Sequence, residues 1–144
     1  MRIPFYRVGA WCWIVTGLGH TAGDVYLRSR PSKADATLDT VLRNHPFELM
    51  GTQRSHYELF MGFSLAMGIS MALVGLLFLM LARFATEPRQ VRQAGFLGLA
   101  ASLGLLALSV AWEPPPPIVL FTLASLAFAA AVFVPVRAPR SVPA

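Results

Sequence analysis

The feature that most constrains this chain is the stretch 57–84, twenty-eight residues in which only Glu58 and Arg83, one near each end, carry a charge. A helix needs ~20 apolar residues to cross a ~30 Å hydrocarbon core. Lipid offers the backbone no hydrogen-bond partner, so such a run closes its own bonds as a helix. Three further apolar segments, 6–27, 94–112 and 118–134, are of comparable length. Charged residues make up 13% of the 144, about half the ~25% usual for a soluble domain. The reading is therefore a single transmembrane domain over 1–144, an all-α, integral membrane, antiparallel four-helix bundle. A partly helical loop, 28–55, joins its first and second helices, and a disordered tail, 135–144, follows the fourth.

The net charge of +5 invites a nucleic-acid reading, but that requires a basic face on a soluble domain. Here the Arg residues flank apolar segments, which fits topology determinants and contact with lipid headgroups. No nucleic-acid partner is expected. Arg2, Arg7, Arg83, Arg89, Arg92, Arg137 and Arg140 fall on one side of the alternating segments; Arg28, Arg30, Lys33, Arg43 and Arg54 fall on the other. The bias places both termini in the cytoplasm. The start of the chain, with Arg2 and Arg7 before an apolar stretch, has the first two regions of a signal peptide. His20 would sit three residues before a cut after Ala22, so the segment reads as a retained first helix. Cys12, the only cysteine, has no internal disulfide partner and reads as a small apolar side chain.

Within the loop, Ser32 is placed to cap a short helix running through Arg43, with Leu38, Val41 and Leu42 opposite Asp35 and Asp39. Such a helix suits a membrane surface or the mouth of a bundle. Pro46 ends it; Phe47, Leu49 and Met50 then return toward the apolar phase before Gly51 turns the chain. Glu113-Pro114-Pro115-Pro116-Pro117 reads as a rigid extended link between the last two helices. Small residues recur at four-residue spacing: Gly19 and Gly23; Gly62, Ala66 and Ser70; Gly68 and Ala72; Ala94, Gly98 and Ser102. Stripes of this kind let helix backbones approach closely.

Four alternating crossings bring the end of the first helix, the start of the second and the end of the third to one membrane face. That face collects His20, Asp24, His45, Arg54, His56, Glu58, Trp112 and Glu113. Trp13, Thr16, His20 and Asp24 follow three- and four-residue spacing and share a helix face. A histidine beside carboxylates can exchange protons with an apolar substrate, which makes His20, Glu58 and Asp24 the candidate catalytic groups. Arg54 and His56 are candidates for holding a ligand's polar group; Trp13, Thr16, Tyr57, Trp112 and Glu113 complete the ligand-binding set. Plainer roles compete with each. Ser55-His56-Tyr57-Glu58 fits the capping box S-x-x-E, Tyr57 and Trp112 suit an aromatic belt, and Arg54 suits a lipid phosphate. No tight metal motif is present, and neither metal nor cofactor is expected.

Gly19-His20-Thr21, then Phe47-Glu48-Leu49-Met50-Gly51-Thr52-Gln53-Arg54-Ser55, then Tyr57-Glu58 and Gly62-Phe63 resemble the pattern of a family of small bacterial four-transmembrane-helix proteins of uncharacterised function. That pattern runs G-H-T, F-x-x-M-G-x-x-R-[ST], an aromatic-acidic pair and G-[FY]. The resemblance covers about residues 17–70; it implies the four-helix plan and a bacterial inner membrane, and it brings no activity. The functional expectation is a polar, His- and carboxylate-lined pocket near the non-cytoplasmic face. It would bind a lipid or other apolar small molecule, with acid–base catalysis as an added role. The alternative is a non-catalytic accessory subunit of a larger membrane complex, with a membrane protein as partner.

Overall fold

A computed structural model describes residues 2–85 and 87–134, leaving aside the side chain of Arg2. The tail 135–144 and its two Arg residues lie outside the described residues. The described chain forms five helices and one β-hairpin: α1 (Arg2–Ser29), α2 (Lys33–Arg43), β1 (Pro46–Leu49), β2 (Thr52–Ser55), α3 (His56–Phe84), α4 (Pro88–Trp112) and α5 (Pro115–Phe133). Among these residues, α3, α4 and α5 are long and apolar enough to cross a membrane. The 28-residue α1 has the length but is not among them, because Thr16, His20, Thr21, Asp24 and several glycines dilute its apolar content. The structure thus supports a membrane protein with three apolar helices, α3, α4 and α5, which correspond to the second, third and fourth of the four crossings expected from the sequence.

Local chemistry fixes the boundaries. Pro31 stops α1, and Ser32 opens α2 with a reciprocal capping box: Asp35 N–H donates to Ser32 Oγ at 3.2 Å, and Ser32 N–H donates to the Asp35 carboxylate at 3.0 Å. The Ser32 hydroxyl, which donates to the same carboxylate at 2.6 Å, and then the Ser32 N–H hold the Asp35 carboxyl below the usual carboxylate range. Asn44 ends the helix, because the ring of Pro46 disfavours the α region for His45, the residue before it. The next stretch departs from expectation. Residues 46–55 form an antiparallel hairpin in which Phe47 pairs with Arg54 and Leu49 with Thr52. Its two-residue turn has φ of +51° at Met50 and +77° at Gly51. Positive φ at both central positions matches the twist of hairpin strands, and glycine adopts it without a steric cost. The Pro-rich link is also shorter than the sequence implied. Glu113 caps the end of α4, Pro114 is the N-cap of α5, and Pro115, Pro116 and Pro117 form the first turn of α5. The first turn of a helix has no intrahelical use for its N–H groups, so prolines fit there.

The chain divides into two compact units: the described residues of Met1–Ile14 with Leu73–Ala144, and Val15–Ala72. The first unit has an aromatic core. Phe128, with 0% of its surface exposed, meets Tyr6 and Phe78 edge-on at centroid distances of 5.3 and 5.2 Å, and Trp13 meets Phe78 and Phe121 at 5.8 and 5.6 Å. A Cβ at Gly98 would lie 2.7 Å from the Phe128 ring, so the predicted small residue in α4 makes room for an aromatic side chain. The buried Trp13 indole N–H donates to Ser102 Oγ at 2.8 Å. In the second unit, α1 and α3 touch backbone to backbone: a Cβ on Gly17 would collide with the Gly68 carbonyl and the Ala72 amide. Gly19, Gly23 and Gly62, by contrast, have nothing within 4 Å of where a Cβ would stand.

Candidate functional site

The site develops from two periodicities in the second unit. In the hairpin, alternate residues share a face, so Phe47, Leu49 and Arg54 point one way while Glu48 and Gln53, a cross-strand pair, point the other. In α3, residues at i, i+4 and i+8 form a stripe, here Glu58, Gly62 and Ala66, with Leu59 and Phe63 alongside. The hairpin face and the helix stripe enclose a groove of about 470 Å³ lined by Phe47, Leu49, Arg54, Glu58, Leu59, Gly62, Phe63 and Ala66. That volume falls within the ~300–1,000 Å³ of small-molecule sites. Six of the eight lining residues are apolar or glycine, and the two charged ones lie at the end where α3 begins. From Glu58 to Ala66 the helix rises ~12 Å at 1.5 Å per residue.

Arg54 and Glu58 face each other at 3.9 Å across an exposed ion pair, a distance longer than a hydrogen bond and weak by itself. Glu58 is held mainly by the start of its own helix. Ser55 N–H donates to Glu58 Oε2 at 2.9 Å, and Glu58 N–H donates to Ser55 Oγ at 3.2 Å. This is the capping box that S-x-x-E foretold. Tyr57 carries the Arg43 guanidinium over its ring at 3.6 Å, with Arg28 at 5.4 Å; Arg28 Nε in turn donates to Asp24 Oδ2 at 3.0 Å. His56 packs on Phe47 with ring centroids 5.0 Å apart, and its Nδ1 lies 2.8 Å from the His45 carbonyl. These contacts fasten the end of α2 and the hairpin to the start of α3.

The other candidate residues lie on other surfaces. His20 Nε2 meets Ser64 Oγ at 3.0 Å, and Thr21 Oγ1 donates to the Gly17 carbonyl at 2.9 Å. Ser64 is off the groove stripe, so α3 presents one face to α1 and another to the groove. Thr16 is buried in the second unit. Trp13 belongs to the aromatic core of the first unit and not to the groove lining. Trp112, 79% exposed, and Glu113, which accepts a bond from Ser109 Oγ at 2.9 Å, close α4 in the first unit. Asp24, Glu58 and His20 therefore each have a partner of their own: Arg28, Ser55 with Arg54, and Ser64. Among the described residues, no group of three or more His, Cys, Asp or Glu side chains is arranged to hold a metal ion.

Sequence reasoning reached Arg54 and Glu58 but missed the apolar walls. Phe47 and Leu49 read as residues returning to the apolar phase, and Gly62 with Ala66 read as a packing stripe. The alternation of Phe47 and Leu49 before Gly51 was the available signal for a hairpin. No family model matches the chain, and no curated protein or solved structure is significantly similar to it.

Proposed function

We propose that this chain is a polytopic membrane protein whose hairpin–α3 groove holds a lipid or another apolar small molecule. The observation that carries the reading is the groove itself: apolar along its length, charged at one end, and floored by a glycine that no packing contact requires. The sequence pattern F-x-x-M-G-x-x-R-[ST] supports it, because its Phe lines the groove, its Met and Gly make the turn, and its Arg sits at the charged end. Membrane residence with α1 as a fourth crossing, both termini cytoplasmic, in a bacterial inner membrane, belongs to the same proposal. In this reading Glu58 stands at the charged end of the groove, His20 ties α1 to α3 through Ser64, and Asp24 holds Arg28. No acid–base reaction is included, since each of the three is engaged with a different partner.

The test is photolabelling of the full-length chain in phosphatidylcholine vesicles that contain a diazirine-bearing acyl chain. Labels mapped by peptide mass spectrometry are expected to concentrate on 59–66. A Cβ at Gly62 meets no atom within 4 Å, so Gly62→Phe places its ring in the groove without a backbone clash, and it is expected to cut that labelling several-fold in folded protein. Uniform labelling of all apolar helix faces, unchanged by Gly62→Phe, would refute the reading. The second reading, an accessory subunit, draws on Gly19 and Gly23, whose open surroundings leave room for a partner helix. A stoichiometric membrane-protein partner in the native mass of the purified protein would favour it.

A further inference from the structure

The groove's charged end carries a specificity that its apolar walls do not. We propose that the groove selects an anionic phospholipid, with one acyl chain along Leu59, Gly62, Phe63 and Ala66 and the phosphate on Arg54. The inference rests on the groove reading above and adds the headgroup class to it.

The charges decide the class. Arg54 lines the groove, and its approach to Glu58 Oε1 at 3.9 Å is an ion pair without the short bidentate geometry that would commit the guanidinium. The guanidinium fork is matched to phosphate oxygens and is the preferred side chain for such recognition. Glu58 is the only carboxylate in the lining, and its Oε2 is engaged by the Ser55 N–H. One residue before it, Tyr57 holds Arg43 against its ring at 3.6 Å, which adds a second guanidinium to this end of α3. Arg28 is there too, offset by Asp24. The hairpin's own carboxylate, Glu48, lies on the strand face away from the groove, paired with Gln53. Arg28, Arg43 and Arg54 therefore stand against Asp24 and Glu58, a balance of three positive to two negative. His45 and His56 can only add to the positive side when protonated.

Geometry fits a bilayer lipid. Tyr57 opens the apolar helix α3, the position that suits an aromatic ring at the headgroup level, and the groove runs ~12 Å from there along α3, in the direction an acyl chain would take from its phosphate. Arg54 and Glu58 are both about half exposed or more, so a headgroup reaches them from the surface without opening the fold.

The experiment uses the delipidated full-length chain in a neutral detergent. It is titrated with dioleoyl phosphatidylglycerol, phosphatidylcholine and phosphatidylethanolamine, and bound lipid is counted by native mass spectrometry. Phosphatidylglycerol is expected to bind roughly tenfold more tightly than the other two, the size of one charge-assisted contact. Arg54→Gln removes the preference, Arg54→Lys retains part of it, and Gly62→Phe removes binding of all three lipids. Equal binding of the three lipids, lost with Gly62→Phe, overturns the headgroup inference and leaves the groove standing. Preference for phosphatidylethanolamine overturns it as well, by shifting recognition to Glu58. Lipid binding that Gly62→Phe does not change removes both. Unfolding temperatures of the three variants, matched to the parent, show that the comparison is made on folded protein.

Discussion

The two compact units solve the packing of apolar helices in opposite ways. The first unit interlocks large rings, Tyr6, Trp13, Phe78, Phe121 and Phe128, with glycines beside them to make room. The second has no comparable aromatic core. Its helices meet through Gly17, Gly68 and Ala72, its α2 has no buried residue, and its hairpin turn projects Met50 with 97% of its surface exposed. The second unit also holds His20, Asp24, Arg43, Arg54 and Glu58. A core sealed by rings leaves little for a ligand to do; a thin contact between backbones leaves both flanks of α3 open to other partners. The groove occupies one of those flanks.

That contrast can be broken most sharply at Phe128. Phe128→Ala removes the centre of the ring cluster and is expected to cost about 3–5 kcal/mol, read as a lower unfolding temperature in detergent. Photolabelling of 59–66 in the protein that remains folded should be unchanged, because the groove uses no ring of that core. A loss of labelling in proportion to the lost stability would show that the two units are not independent in function.

A smaller effect is expected in the second unit. Gly17→Val drives a side chain into the Gly68 carbonyl and the Ala72 amide, backbone atoms that have no rotamer to relieve the clash, at about 1–3 kcal/mol. Gly62→Ala is the matched control: it meets no atom and raises helix propensity by up to about 1 kcal/mol. Thermal unfolding of the pair should therefore move in opposite directions, and movement in the same direction would contradict the division of α3 into a packing face and a groove face.

The smallest expected effect concerns α2, where packing contributes least and capping most. Asp35 has a lowered pKa, so its contribution is fully present above the ordinary carboxylate value and is lost as pH falls through the lowered one. Amide chemical shifts of residues 33–36 should drift toward coil values in that acid range, while those of α5 stay fixed. Fraying of α2 at neutral pH would show that the Ser32–Asp35 box does not hold it.

Much of this was legible in the order of residues. The apolar runs fixed where α3, α4 and α5 lie, since length and apolarity alone decide whether a helix suits a membrane. Ser32 with Asp35 and Ser55 with Glu58 announced two helix starts, because capping acts over three residues and needs no tertiary contact. Gly51 announced a turn for the same local reason. The groove was not legible, because it depends on which face of the hairpin meets which stripe of α3, and both Gly62 and Gly68 sit in equally plausible small-residue stripes. Only the tertiary structure set Gly68 against Gly17 and left Gly62 open, and only it gave Trp13 to Ser102 and His20 to Ser64 along one helix. Local bonding and hydropathy travel with the sequence; the choice of neighbour for each helix face is a property of the packed chain.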